Sequence, residues 1–209
     1  MKLFPSMAVS REQNPVRNRG VVDRIQHLAF EANPAFAAGS IIVPLAVLTV
    51  GIVLQSPELL FYTHVGAGAV WFGFALVFPA VVGPTLGGLS DETAAAVTTK
   101  LTPKVVFFIF GFSLTTVLSG TVLLTGQWGL GYGFTGFWPS TSLGLGWALF
   151  FFGLVVPNRI HLRAYYESRS ETPDFDRLAT IEKQNAIVGI VEAIAMLGII
   201  VLMTGLRLG

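Results

Sequence analysis

No cysteine occurs in the 209 residues, which removes disulfides, thiolate metal sites, Fe–S ligation and a cysteine nucleophile together. Charge is scarce as well. Asp, Glu, Lys and Arg make up 12% of the chain, against roughly a quarter in a soluble domain. Thirteen basic residues against twelve acidic ones leave a net charge of +1, so there is no nucleic-acid footprint. A phosphate loop, a Gly-x-Ser-x-Gly elbow, a His-Glu-x-x-His motif and a dinucleotide fingerprint are all missing, and with them the common soluble-enzyme chemistries. No apolar core follows the basic start within the first 30 residues, so a secretory signal peptide is not expected. Neither a repeat of 20–50 residues nor a low-complexity tract is visible.

What fills the space is apolar. Hydrophobic residues account for 53% of the sequence, including 17 Phe, and the mean hydropathy is +0.68. Five apolar segments stand out: about 35–54, 59–82, 105–124, 142–156 and 185–206. Twenty helical residues at about 1.5 Å each cover a hydrocarbon core of roughly 30 Å. The expected fold is therefore all-α, a polytopic bundle of five transmembrane helices forming one domain over 34–209. Pro44 falls inside the first span and is expected to kink it. Span two ends against Pro79 and Pro84, and its Gly66, Gly68 and Gly73 suit close approach by a neighbour. The fourth segment is short for a crossing; starting within the aromatic loop or local thinning of the bilayer would accommodate it. Residues 1–33 read as a tail in which Val21 to Glu31 carries apolar residues at 21, 22, 25, 28 and 29, an amphipathic surface helix with His27 solvated upon it. Stretches 83–104 and 157–184 read as polar loops, each with helical pieces. The uncharged segment 125–141, bearing Trp128, Tyr132, Phe134, Phe137 and Trp138, reads as an aromatic loop at headgroup level.

Five spans sort the charges. The amino tail and the 83–104 and 157–184 loops hold twelve of the thirteen Lys and Arg, and the other side holds only Arg207. The Lys/Arg excess marks the cytoplasmic face, so the amino end is expected inside and the carboxyl end outside a cell membrane. Asn158-Arg159-x-His161-x-Arg163 reads as an anchoring cluster on that inner face, able also to meet anionic headgroups.

On this scheme His64 is the histidine lying within an apolar span, roughly 6–8 Å below the outer surface, and Trp71 follows about two turns later on nearly the same face. Asn185, Glu192, Met196 and Met203 share an arc of about 40° on the last span. Met203 is level with His64, whereas Glu192 is roughly 15 Å deeper. The stripe therefore reads as a stepped ion path, with His64 and Met203 outermost, then Met196, then Glu192 and Asn185. An acid in hydrocarbon needs a partner; Ser113, Thr116 and Lys104 are the candidates for Glu192. Imidazole and thioether ligands without thiolate suit copper, which makes His64, Met203 and Met196 candidate metal ligands.

His64-x6-Trp71-x-Gly73 on an apolar helix resembles the first-helix signature of the copper-resistance protein D family and its membrane relatives. The likeness continues through Phe78-Pro79 to Ser119-Gly120 and Leu124-Thr125-Gly126, covering about 59–126. It implies a multi-pass membrane protein that handles copper, a metal-transport role without an enzymatic reaction. The same His-x6-Trp element is similar to one in the HemJ-type protoporphyrinogen oxidases. That resemblance implies a haem b or quinone-associated redox protein, with His64, Trp71 and Lys104 near the cofactor. A third expectation is a non-catalytic accessory subunit, embedded in the lipid bilayer and docked to other membrane subunits or to further copies of itself.

Overall fold

The computed structural model describes residues 20–208; the earlier part of the amino tail, with Lys2, Arg11, Arg17 and Arg19, lies outside the described residues. All regular structure in the described residues is helical: α1 (Val21–Ala32), α2 (Pro34–Val53), α3 (Pro57–Val77), a π-turn (Phe78–Val82), α4 (Gly83–Gly87), α5 (Asp91–Leu123), α6 (Phe137–Ser168) and α7 (Phe175–Leu208). Five of these units are long and apolar enough to cross a membrane: α2, the run from α3 through α4, α5, α6 and α7.

Local chemistry explains the boundaries. Asn33 has φ 76° and its side chain accepts from the Ala35 N–H, so one residue both ends α1 and caps α2. Ser56 accepts from the Leu59 N–H ahead of Pro57, which takes a first-turn position needing no N–H. Ser90 caps α5 through the Thr93 N–H, with Asp91 and Glu92 in the first turn where the helix dipole favours acids.

Several expected ends are displaced, most of them near the charged stretches. Pro79 and Pro84 do not stop the second span. The chain absorbs Pro79 by widening into the π-turn, and Pro84 takes an early position of α4. Span three starts at Asp91 and contains Pro103, so the helical piece expected within the 83–104 stretch is there but forms the first part of the span itself. Span four is not short, because 142–156 is the middle of a 32-residue helix. The expected 157–184 loop is two helix ends joined by a turn at residues 169–174. Ile160, Ala164, Leu178 and Ile181 of those ends bury together with Ala95, which is what keeps them helical despite their charged outer faces. Arg159 and Arg163 point outward while Ile160 and Ala164 point inward.

The helices α2, α3, α5, α6 and α7 pack side by side, with α5 touching α2, α3 and α6, and α7 touching α6 and α3. The main core lies between α3, α5, α6 and α7: Trp71, Ala75, Val117, Leu149, Phe150, Ala193, Met196 and Ile199. The amphipathic helix α1 is present as expected and packs on α5 and α2. His27 is not simply solvated there, since its Nε2 meets the buried Tyr165 hydroxyl at 3.0 Å. Below, the end of the bundle holding residues 91, 168 and 175 is called the basic end, and the opposite one the aromatic end. At the latter, Trp128, Tyr132, Phe134, Phe137 and Trp138 are all exposed. Residues 137–141 already belong to α6.

Candidate functional site: a polar cavity inside the bundle

The residues of the His64 segment divide between two places. On α3, His64 approaches α5, where its Nδ1 lies 2.9 Å from the Thr116 carbonyl and 3.3 Å from Ser119 Oγ. A carbonyl can only accept, so Nδ1 carries the proton and Nε2 holds the free lone pair. Gly120 makes the approach possible: a Cβ there would sit 2.8 Å from His64 Cε1. Of the glycines expected to admit a neighbour, Gly68 faces Thr116, whereas Gly66 and Gly73 face nothing within 4 Å.

About 10 Å further along α3, Trp71 is buried and its Nε1–H donates to Glu192 Oε1 at 3.0 Å. This is the partner that Glu192 needed. It is none of the three anticipated ones: Ser113 and Thr116 spend their hydroxyls on the Phe110 and Phe112 carbonyls of their own helix, and Lys104 is exposed. Indole is rarely counted as a partner for a carboxylate because it is neutral, yet its N–H is an obligate donor that burial forces to find an acceptor. Met196 is buried in the Trp71 cluster and Met203 packs against it. Lys104 and Thr116 are twelve residues apart on α5, about 18 Å, so Lys104 and His64 do not meet.

Glu192 stands at the head of a cavity of about 60 Å³, lined also by Pro79, Gly153, Asn158, His161 and Asn185. A second cavity of about 60 Å³ adjoins it, sharing His161 and Asn185 and reaching Glu182 and Thr98 toward the basic end. Each is several times the 10–15 Å³ that one water needs. Asn158, His161, Glu182 and Asn185 are half-buried. Among the described residues none of these four side chains has a hydrogen bond within the protein; His161 makes only an edge contact with Phe78, centroids 6.0 Å apart. Polar groups so placed call for water or a ligand. His161, Asn158 and Glu182 were missed as site residues because they lie in a charged stretch. The signal was present: Phe150, Pro157, Ile160 and Ala164 continue the inward face of α6 past the expected end of the span.

Toward the aromatic end the polar lining stops at Trp71, Phe150, Met196 and Ile199, an apolar layer. Among the described residues no three His, Asp or Glu side chains gather in a way that would hold a metal ion. No family model, curated protein or solved structure matches this chain.

Proposed function

We propose that this chain is a multi-pass membrane protein that moves a cation along the α7 stripe, with Glu192 as the midway station. The observation that carries this reading is the run of Glu192, Asn185, His161, Asn158 and Glu182 along two adjoining cavities, four of them without a hydrogen bond among the described residues. Ionisable groups within spans are costly and mark ion or proton routes. The route opens toward the basic end and closes at the Trp71–Met196 layer, the arrangement of a carrier accessible from one side. Its setting is a cell membrane, with the basic end in the cytoplasm, the amino end inside and the carboxyl end outside.

The test is flux in proteoliposomes, with gradients of protons, alkali cations and copper supplied one at a time. Flux of one cation above that of empty liposomes, reduced at least tenfold in Glu192→Gln, is expected. Equal flux in wild type and variant, or no flux of any of them, would sink the reading.

A second reading has its own support. Holding Nδ1–H on a carbonyl leaves Nε2 as a ligand, the arrangement used by metal-binding histidines. We infer that His64 is an outer copper ligand, with Met203 the thioether nearest in depth, in keeping with the resemblance to the copper-resistance protein D family. Copper content measured on purified wild type and His64→Ala decides it: equal amounts remove His64 from any copper site.

A further inference from the structure

Two prolines line the Glu192 cavity, Pro79 on the π-turn and Pro157 within α6. Proline has no N–H, so the carbonyl four residues earlier loses its helical donor. Those carbonyls belong to Ala75 and Gly153, and both residues line the same cavity. Among the described residues no side chain donates a hydrogen bond to either carbonyl. Pro44 of α2 shows the other fate of a freed carbonyl. There Ser40 O is covered by the α5 backbone, so close that a Cβ on Gly111 would come within 2.0 Å of it. Ala75 and Gly153 instead both line the cavity that Glu192 heads. Glu192 Oε1 is 3.5 Å from where a Cβ of Gly153 would stand, and Ala75 O is 3.7 Å from the corresponding point on Gly189, one turn before Glu192 on α7.

Beside the His161 imidazole, the cavity presents a set of oxygen donors. It comprises the Glu192 carboxylate, two backbone carbonyls and the amide oxygens of Asn158 and Asn185. Trp71 holds one carboxylate oxygen; the other receives no hydrogen bond among the described residues. We propose that this cavity is a binding site for a single alkali cation, with Glu192 as the charged ligand and the proline-freed carbonyls of Ala75 and Gly153 as neutral ones. Oxygen ligands suit hard cations and disfavour soft Cu(I). One carboxylate balances one charge, and Glu182, ten residues back on α7, is about 15 Å away along the helix. That excludes the pair of acids a divalent ion would want. Irregular backbone at membrane depth is tolerated where it lines such a cavity, and freed carbonyls there are natural cation ligands.

This inference rests on the Glu192 path and names its cation. The test uses the whole chain in lipid nanodiscs, with Tm followed against NaCl and KCl at constant ionic strength, choline chloride making up the balance. Binding to the folded state predicts a saturable rise in Tm with one or both alkali salts, abolished in Glu192→Gln. In Pro157→Ala the restored N–H occupies the Gly153 carbonyl, so the apparent affinity falls at least tenfold while Tm in choline chloride stays equal or rises. No rise beyond that in choline chloride, a rise that survives Glu192→Gln, or unchanged affinity in Pro157→Ala each overturns the proposal. Glu192-dependent flux of protons alone, without an alkali effect on Tm, overturns it while leaving the path intact. Saturable alkali binding without any flux supports the site and removes the path.

Discussion

At the scale of single residues, two hydrogen bonds define what α3 presents to the rest of the bundle. His64 depends on the absence of a side chain at Gly120, where a methyl would lie 2.8 Å from Cε1 and 3.2 Å from Nδ1. Gly120→Ala is therefore expected to push the imidazole off the Thr116 carbonyl, at a cost of about 1–3 kcal/mol. Nitrogen NMR of the His64 ring should show the Nδ1–H tautomer lost; an unchanged spectrum would contradict the contact. Trp71→Phe keeps an aromatic, though smaller, ring and removes the one N–H donated to Glu192 among the described residues. A buried acceptor left unsatisfied costs about 1–3 kcal/mol, so thermal unfolding in detergent should show a loss in Trp71→Phe that shrinks in a Glu192→Leu background, where no acceptor remains. Additive losses would mean that the two residues are not coupled. His64 and Glu192 were legible in the sequence, since each is a polar exception in an apolar run. Their partners were not, because one is a backbone carbonyl common to every residue and the other an aromatic that composition counts as apolar.

At the scale of helices, packing is decided where backbones come close. A Cβ at Gly111 would lie 2.0 Å from the Ser40 carbonyl, and one at Gly205 would lie 2.6 Å from the Trp138 ring. Gly66 and Gly73 have open space instead. Glycine in a helix interior is about 0.5–1 kcal/mol worse than alanine when nothing opposes the methyl. Gly66→Ala and Gly73→Ala should thus leave stability unchanged or raise it slightly, while Gly111→Ala should cost about 3 kcal/mol, because only backbone movement can relieve that clash. Chemical denaturation of the three alanine variants checks the order, and a destabilised Gly73→Ala would reveal a neighbour that the bundle itself does not provide. The sequence told these glycines apart poorly, since Gly66, Gly68 and Gly73 share one apolar helix and differ only in which way each faces. Helix ends were misread for a related reason. Hydropathy sums all sides of a segment, and residues 91–104 and 157–184 are charged on one side only, with Ala95, Ile160, Ala164, Leu178 and Ile181 closing a core on the other.

At the scale of the whole molecule, the 32 residues of α6 and 33 of α5 reach about 50 Å at 1.5 Å per residue, well beyond a bilayer's hydrocarbon core. The excess lies at the basic end, where the amphipathic α1 is fastened across the bundle. Arg169 Nη1 donates to Glu31 Oε1 at 2.8 Å and to the Tyr165 hydroxyl at 3.0 Å, and that hydroxyl also meets His27. The hydrogen bond from Arg169 holds the Glu31 carboxyl below its ordinary range, aided by the Arg169, His27 and Lys100 charges and opposed by modest burial. A carboxyl whose folded pKa is depressed adds stability that is fully present above its unfolded value and is lost as pH falls through its folded one. Arg169 is 37% exposed, so solvent screening limits the pair to about 1 kcal/mol or less, at most about a fivefold change in opening. Acidification from neutral pH to below the carboxylate range should therefore loosen α1 a few-fold while the spans keep their protection. Hydrogen exchange read at Val21–Ala32 is the measurement. Glu31→Gln should start from the loosened state and lose this pH dependence. If α1 in Glu31→Gln still loosens as steeply on acidification as in wild type, the latch lies elsewhere, and the Tyr165–His27 contact becomes the link that fastens α1 to α6.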